Sequence, residues 1–202
     1  DERGRDRIAI TATGSQKGDL EPSHICILSA TETDYGYYKA SSETDIHARI
    51  LALEGVTASV HAHTKNLTIV TFDDADKPNQ PESFVPIDPL AWHEFDGVIP
   101  IDWVKVPSGS KEMSDKIVAR LEEHRVTVIQ GHGAFAKART GQEALYRVCL
   151  ANNSGYIVQL MEKEGADLAA LRSRLRSAAA AQFSYAPAAY EVEGDDRNDF
   201  PE

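Results

Sequence analysis

Cysteine is scarce: the 202-residue chain carries only Cys26 and Cys149. Two cysteines make no disulfide framework, so a reduced, cytoplasmic setting is expected. Basic residues are also short. Lys and Arg number 21 against 32 Asp and Glu, leaving a net charge of −11. So acidic a chain lacks the footprint of a nucleic-acid binder and of a protein drawn to anionic membranes. Long hydrophobic runs are missing: no segment approaches the roughly 20 apolar residues of a membrane span. The opening DERGRDR has no apolar core of a secretory signal. Neither an internal repeat nor a dividing linker is visible, so one domain over 1–202 is expected. Its last residues, 191–202, read as an acidic mobile tail. What is present is ordinary globular material, 42% hydrophobic and 26% charged.

Short strands and helices alternate along this chain. Arg7–Ala12 and His24–Ser29 read as strands, and 31–40 as a hairpin or extended connection. A helix is expected to start near Ser42, where Ser42 and Asp45 have capping-box spacing. Ile46, Ile50 and Leu53 form its buried stripe, and Gly55 its stop. Thr57–His63 reads as a strand, followed by a helix or loop from Thr64 and a strand near Leu67–Phe72. Residues 73–83 read as a polar loop. Four prolines break 84–107 into short apolar pieces. A helix over Ser110–His124 follows, with Met113, Ile117, Val118 and Leu121 inward. The strand Val126–Gln130 ends at Gly131. Thr140 and Glu143 open a long helix with a T-x-x-E box, in which Cys149 is expected in the core. A last helix covers Asp167–Gln182. This alternation predicts an α/β domain.

Three segments can carry chemistry. His61-Ala62-His63 puts two imidazoles on one face of a strand, because side chains at i and i+2 point the same way. Such a pair can bind a divalent transition metal or line a polar strand face. Gly131-His132-Gly133 places a histidine at a strand end, between residues that let backbone approach closely. It reads as a site residue or as a polar turn. Ser41-Ser42-Glu43 sits at a helix start, where free N–H groups suit an anion, and equally reads as an ordinary cap. Together the three are more specific. Three neutral histidines can hold a catalytic metal with one position open, and a nearby carboxylate can move a proton. That set suits stabilisation of an enediolate.

The order of motifs extends the argument. Thr13-Gly14 and Lys17-Gly18-Asp19-Leu20 come first, then Ser41-Ser42-Glu43-Thr44. His61-Ala62-His63 and Gln130-Gly131-His132-Gly133 follow. This set resembles the class II aldolase/adducin family, typified by L-fuculose-phosphate aldolase, from about Ile8 to the third helix. The resemblance implies a three-layer α/β/α fold with a mostly antiparallel central sheet. It implies Zn2+, or another divalent metal such as Mn2+ or Co2+, on His61, His63 and His132. It implies Glu43 as the acid/base, and Thr13, Gly14, Ser41 and Ser42 around a substrate phosphate. The implied reaction is retro-aldol cleavage of a small phosphorylated ketose through a metal-stabilised enediolate. A homo-oligomer, a tetramer by analogy, is implied as well.

Two departures from the family pattern are visible. The family's N-terminal helix and G-N-x-S segment have no counterpart in the chain as it starts. The family's tyrosine proton donor also has none: Val85–His93 contains no tyrosine. Asp88, His93, Tyr185 and Tyr190 are the candidate substitutes. Two other readings stand beside the aldolase. One is a decarboxylase or epimerase on the same metal site. The other is a non-catalytic adducin-like scaffold, which has no need of Glu43 and all three histidines.

Overall fold

The structure, a computed structural model, describes residues 7–29, 33–34, 39–71, 81–106 and 109–182. Near the start lies a small antiparallel sheet of β1 (Arg7–Thr11), β2 (Ile25–Ser29) and β3 (Thr33–Asp34). Helix α1 (Thr44–Leu51) leads to β4 (Ala58–Ala62), and the short α2 (Lys65–Ile69) follows directly. Next come β5 (Ser83–Phe84), α3 (Pro89–Glu94) and β6 (Ile99–Asp102). Helix α4 (Lys111–Glu123) crosses to β7 (Val126–Ile129), which turns into β8 (Gly133–Ala138). Two helices finish the described chain, α5 (Gly141–Lys163) and α6 (Leu168–Gln182).

The central sheet has the order β4-β8-β7-β6-β5. Only β6 and β7 run parallel; the other three pairings are antiparallel. The parallel pair needs a crossover, and α4 supplies it. Side chains alternate across the sheet and so build two cores. Val126, Val128, Ala134 and Ala136 pack with Leu67 of α2, Ala91 of α3, and Val148 and Ala151 of α5. Ile129 and Phe135 face the other way, against Ile46 and Ile50 of α1 and Met113, Ile117 and Leu121 of α4. Helices therefore cover both faces, and the three-layer, mostly antiparallel expectation holds. Each fully buried aliphatic or aromatic side chain here is worth about 1.5–3 kcal/mol.

Local chemistry explains most boundaries. Ser110 accepts the Met113 N–H and starts α4, and Thr140 accepts the Glu143 N–H and starts α5. Glu143 returns its carboxylate to the Arg139 N–H, one residue before the cap. Three expectations need correction, and one strand was not anticipated. The strand near Leu67–Phe72 is instead helix α2, with Phe72 outside the described residues. Its Asn66 N–H is satisfied by Asn152 Oδ1 from α5 at 3.0 Å, so tertiary contact overrides the β-branched composition. Helix α1 begins at Thr44, not Ser42, and the Ser42–Asp45 box does not form. Ser41 takes over: its Oγ accepts the Glu43 N–H, and its carbonyl accepts the Thr44 N–H and hydroxyl. Strand β8 was hidden behind the glycine-flanked turn and its alanine-rich sequence. Cys149 is exposed rather than buried in the core. The expected tail over 191–202 lies outside the described residues, as does most of the 73–83 loop. Among the described residues, no helix is long and apolar enough to cross a membrane.

Candidate metal centre

The site is built where β4 ends beside the β7–β8 turn. Strand pairing sets His61 opposite Phe135 and Ala62 opposite Ala134. His61 faces the α1–α4 side with Phe135, and His63 follows one residue past the strand end. The turn then brings His132 over the same face, closed by its N–H on the Ile129 carbonyl at 3.0 Å. Gly133 makes the approach possible. A Cβ there would lie 2.4 Å from the Ala62 carbonyl oxygen and 3.0 Å from the His63 Cα. Any side chain would push the two histidine-bearing segments apart.

The three imidazoles converge. One ring nitrogen from each of His61, His63 and His132 lies within 4.8 Å of the others. Ring centroids are 4.8–5.0 Å apart with planes crossing at 64–89°. His61 Nε2 and His132 Nε2 are separated by 3.0 Å. Two nitrogens on one tetrahedral zinc lie about 3.3 Å apart at ordinary bond lengths, so small shifts suffice for a shared ion. The tautomer also fits. His61 Nδ1 donates to the Ala134 carbonyl at 3.0 Å, which leaves the Nε2 lone pair directed at the cluster. These residues fit a divalent metal by donor type, spacing and outer support.

Glu43 reaches the cluster from α1. Its Oε1 lies 3.3 Å from His132 Nε2, and its Oε2 3.5 Å from His61 Nε2. No cap holds its side chain, because the Ser41 turn satisfies the helix start instead. All three groups are largely buried, with 8–13% of each side chain exposed. Burial pushes the His61 pKa down to about 4, against the opposing pull of the Glu43 carboxylate. His61 is therefore neutral at pH 7. Burial pushes Glu43 upward, but the His132 hydrogen bond and the charges of His61, His132 and His47 outweigh it. Its net shift is downward, which keeps it a carboxylate. One turn along α1, His47 shares a 2.7 Å hydrogen bond with Ser59 of β4 and is pushed down by burial.

Of the expected phosphate residues, Thr13 follows Ala12, which bridges Ala40 in antiparallel register, and its N–H donates to the Lys39 carbonyl; Thr13-Gly14 and Ser41-Ser42 therefore leave that bridge in opposite directions. Gly14 has φ +74°, a conformation that favours glycine. Lys17 folds back over this turn, its Nζ 2.7 Å from Ser15 Oγ. Glu43, beside the histidines, is next in sequence to Ser42. Sequence reasoning missed Phe135, which stacks on His61 with centroids 4.0 Å apart and planes at 16°. It also missed Thr71, whose Oγ1 accepts the Gly131 N–H at 3.1 Å. Of the candidate tyrosine substitutes, Asp88 is engaged: it caps α3 through the Ala91 N–H and accepts the Ser154 hydroxyl. His93 is exposed in the last turn of α3, and Tyr185 and Tyr190 lie outside the described residues.

Residues 2–157 match the model of the Class II Aldolase and Adducin N-terminal domain. The chain belongs to the class II aldolase and adducin family. Class II aldolases use a divalent metal, and the histidine cluster is where this family member could bind one. Solved structures share the fold. The l-fuculose-1-phosphate aldolase of Thermus thermophilus is 23% identical, with a TM-score of 0.65 over 80% of this chain and 85% of that one. The sugar-phosphate aldolase of Thermotoga maritima is 24% identical, with a TM-score of 0.65 over 81% and 75%. Escherichia coli YgbL, for which aldolase, epimerase and decarboxylase are named as alternatives, is 18% identical, with a TM-score of 0.64 over 87% and 91%.

Proposed function

We propose that this class II aldolase family member is a divalent-metal-dependent lyase that cleaves a small phosphorylated ketose by a retro-aldol reaction. The observation that carries the reading is the meeting of His61, His63 and His132 with the Glu43 carboxylate 3.3–3.5 Å from two of them. His61, His63 and His132 would hold Zn2+, Mn2+ or Co2+, which when bound supplies a Lewis acid for charge developing on substrate oxygens. Glu43, ionised and largely buried beside that charge, moves the proton at the hydroxyl-bearing carbon or its oxygen. Thr13, Gly14, Ser41 and Ser42 take the substrate phosphate near the start of α1, where the helix dipole favours an anion. Lys17, its Nζ on the Ser15 carbonyl and hydroxyl, adds positive charge beside Thr13-Gly14. Phe135 excludes water from one face of His61.

A decarboxylase or epimerase on the same residues is the second reading. It is favoured by the Val85–His93 segment, which lacks a tyrosine and commits Asp88 to capping. The products separate the two, since carbon dioxide or an inverted centre replaces an aldehyde and a hydroxyketone phosphate.

The test combines metal analysis with turnover on ketose 1-phosphates. About one divalent ion per chain and cleavage of one such substrate are expected. Glu43→Gln should keep the metal and lose about 10²–10⁴-fold in turnover, the usual weight of a positioned acid/base. Full metal content in His132→Ala, or undiminished turnover in Glu43→Gln, would overturn the assignment.

A further inference from the structure

Thr71 is fully buried, beyond the C-terminal end of α2, and a buried hydroxyl must find partners. It finds two. Thr71 Oγ1 donates to the Thr68 carbonyl at 2.6 Å and accepts the Gly131 N–H at 3.1 Å. Gly131 has φ +64° and opens the turn whose next residue is His132. The other end of the same segment is equally anchored. Thr64 directly follows His63, and its carbonyl accepts the Thr68 N–H at 2.7 Å. The Thr71 N–H in turn bonds the Thr68 carbonyl at 2.9 Å. Residues 64–71 thus form a continuous hydrogen-bonded strap from His63 to the His132 turn. It joins two of the three imidazoles by a route separate from the β4–β8 ladder.

We infer that Thr71 is a positioning residue for the metal centre, holding His132 in register with His63 through the Gly131 amide. The inference rests on the metal-centre reading given above. Without the hydroxyl, the Gly131 N–H has no partner, and the turn is free to carry His132 out of line. Outer groups that orient metal ligands typically control about 10–100-fold in metal affinity. The two buried hydroxyls nearest in sequence do not share this role: Thr64 Oγ1 and Thr68 Oγ1 make no hydrogen bond.

The experiment uses the full chain, stripped with a chelator and titrated with Co2+ alone, read by its visible absorption. Wild type should bind one ion with the intense bands of a four-coordinate site. Thr71→Val, close in shape but without the hydroxyl, should bind at least about tenfold more weakly and with shifted bands, and Thr71→Ser should restore both. A purely packing role would lower the melting temperature of Thr71→Val while leaving affinity and spectrum unchanged, and that result overturns the inference. Wild type that takes up no cobalt overturns the metal-centre reading together with it. Should Thr71→Val not fold, amide exchange in wild type decides. A slowly exchanging Gly131 N–H supports the inference, and exchange as fast as in an open turn overturns it.

Discussion

Phe135 serves two purposes with one ring. It is fully buried among Ile46, Ile50, Met113 and Ile117, at the centre of the core between the sheet and the α1–α4 layer. The same ring lies flat against His61 at 4.0 Å. Removing it opens a cavity and wets a metal-ligand candidate at once. Phe135→Ala should therefore cost about 3–5 kcal/mol of unfolding free energy, the range for a large aromatic cut from a core. Phe135→Leu, which keeps most of the volume, should cost under about 1.5 kcal/mol. Urea denaturation of the two variants beside wild type measures both. Equal losses would mean that the neighbours collapse into the space and that the ring's size is not what holds this layer. The two histidines of the H-x-H segment were legible without any of this, because a period of two alone puts them on one face. Phe135 was not, since its value lies in pairing with residues more than seventy positions away.

At the scale of elements, α2 shows where sequence reading stops. Leu67, Thr68, Ile69 and Val70 favour a strand by composition. They form a helix end because α5 requires it. Gly155 of α5 brings its backbone against α2, where an added Cβ would stand 2.9 Å from the Leu67 backbone nitrogen and Cα. Asn152, one turn earlier, completes the contact by accepting the Asn66 N–H. Gly155→Ala should thus overpack a backbone-to-backbone seam and cost about 1–3 kcal/mol, although alanine is the better helix former by about 1 kcal/mol. Denaturant midpoints for this variant check the sign. A gain in stability would show that α2 moves away freely and that the seam is soft. The Thr140 cap, which depends on neighbouring residues, was readable from sequence, as was a helix starting near Ser110. The Asn152 contact spans 86 positions and the Thr71–Gly131 bond 60, and no local pattern announces either. The Ser42–Asp45 spacing misled for a related reason: Ser41 captured the amides first and left Glu43 free to face the histidines.

For the whole molecule, the metal reading has a thermodynamic consequence. His61 and His63 come from the end of β4 and His132 from the β7–β8 turn, so an ion on all three closes a long stretch of chain. The unfolded chain has no such site, and binding therefore adds to folding stability. At free metal a hundred times the dissociation constant, the gain is about 2.7 kcal/mol. For a domain of this size each kcal/mol raises the melting temperature by roughly 2–4 °C, which gives about 5–10 °C in all. Chelator-treated protein should melt that much lower than protein with added zinc. His63→Ala, which removes the most exposed of the three candidate ligands, should show little of the difference while melting near the chelated wild type. The comparison is made by calorimetry at matched protein concentration with and without zinc. Identical melting curves for wild type under the two conditions would show that the three imidazoles do not form a metal site, and the proton chemistry assigned to Glu43 would lose its electrophile.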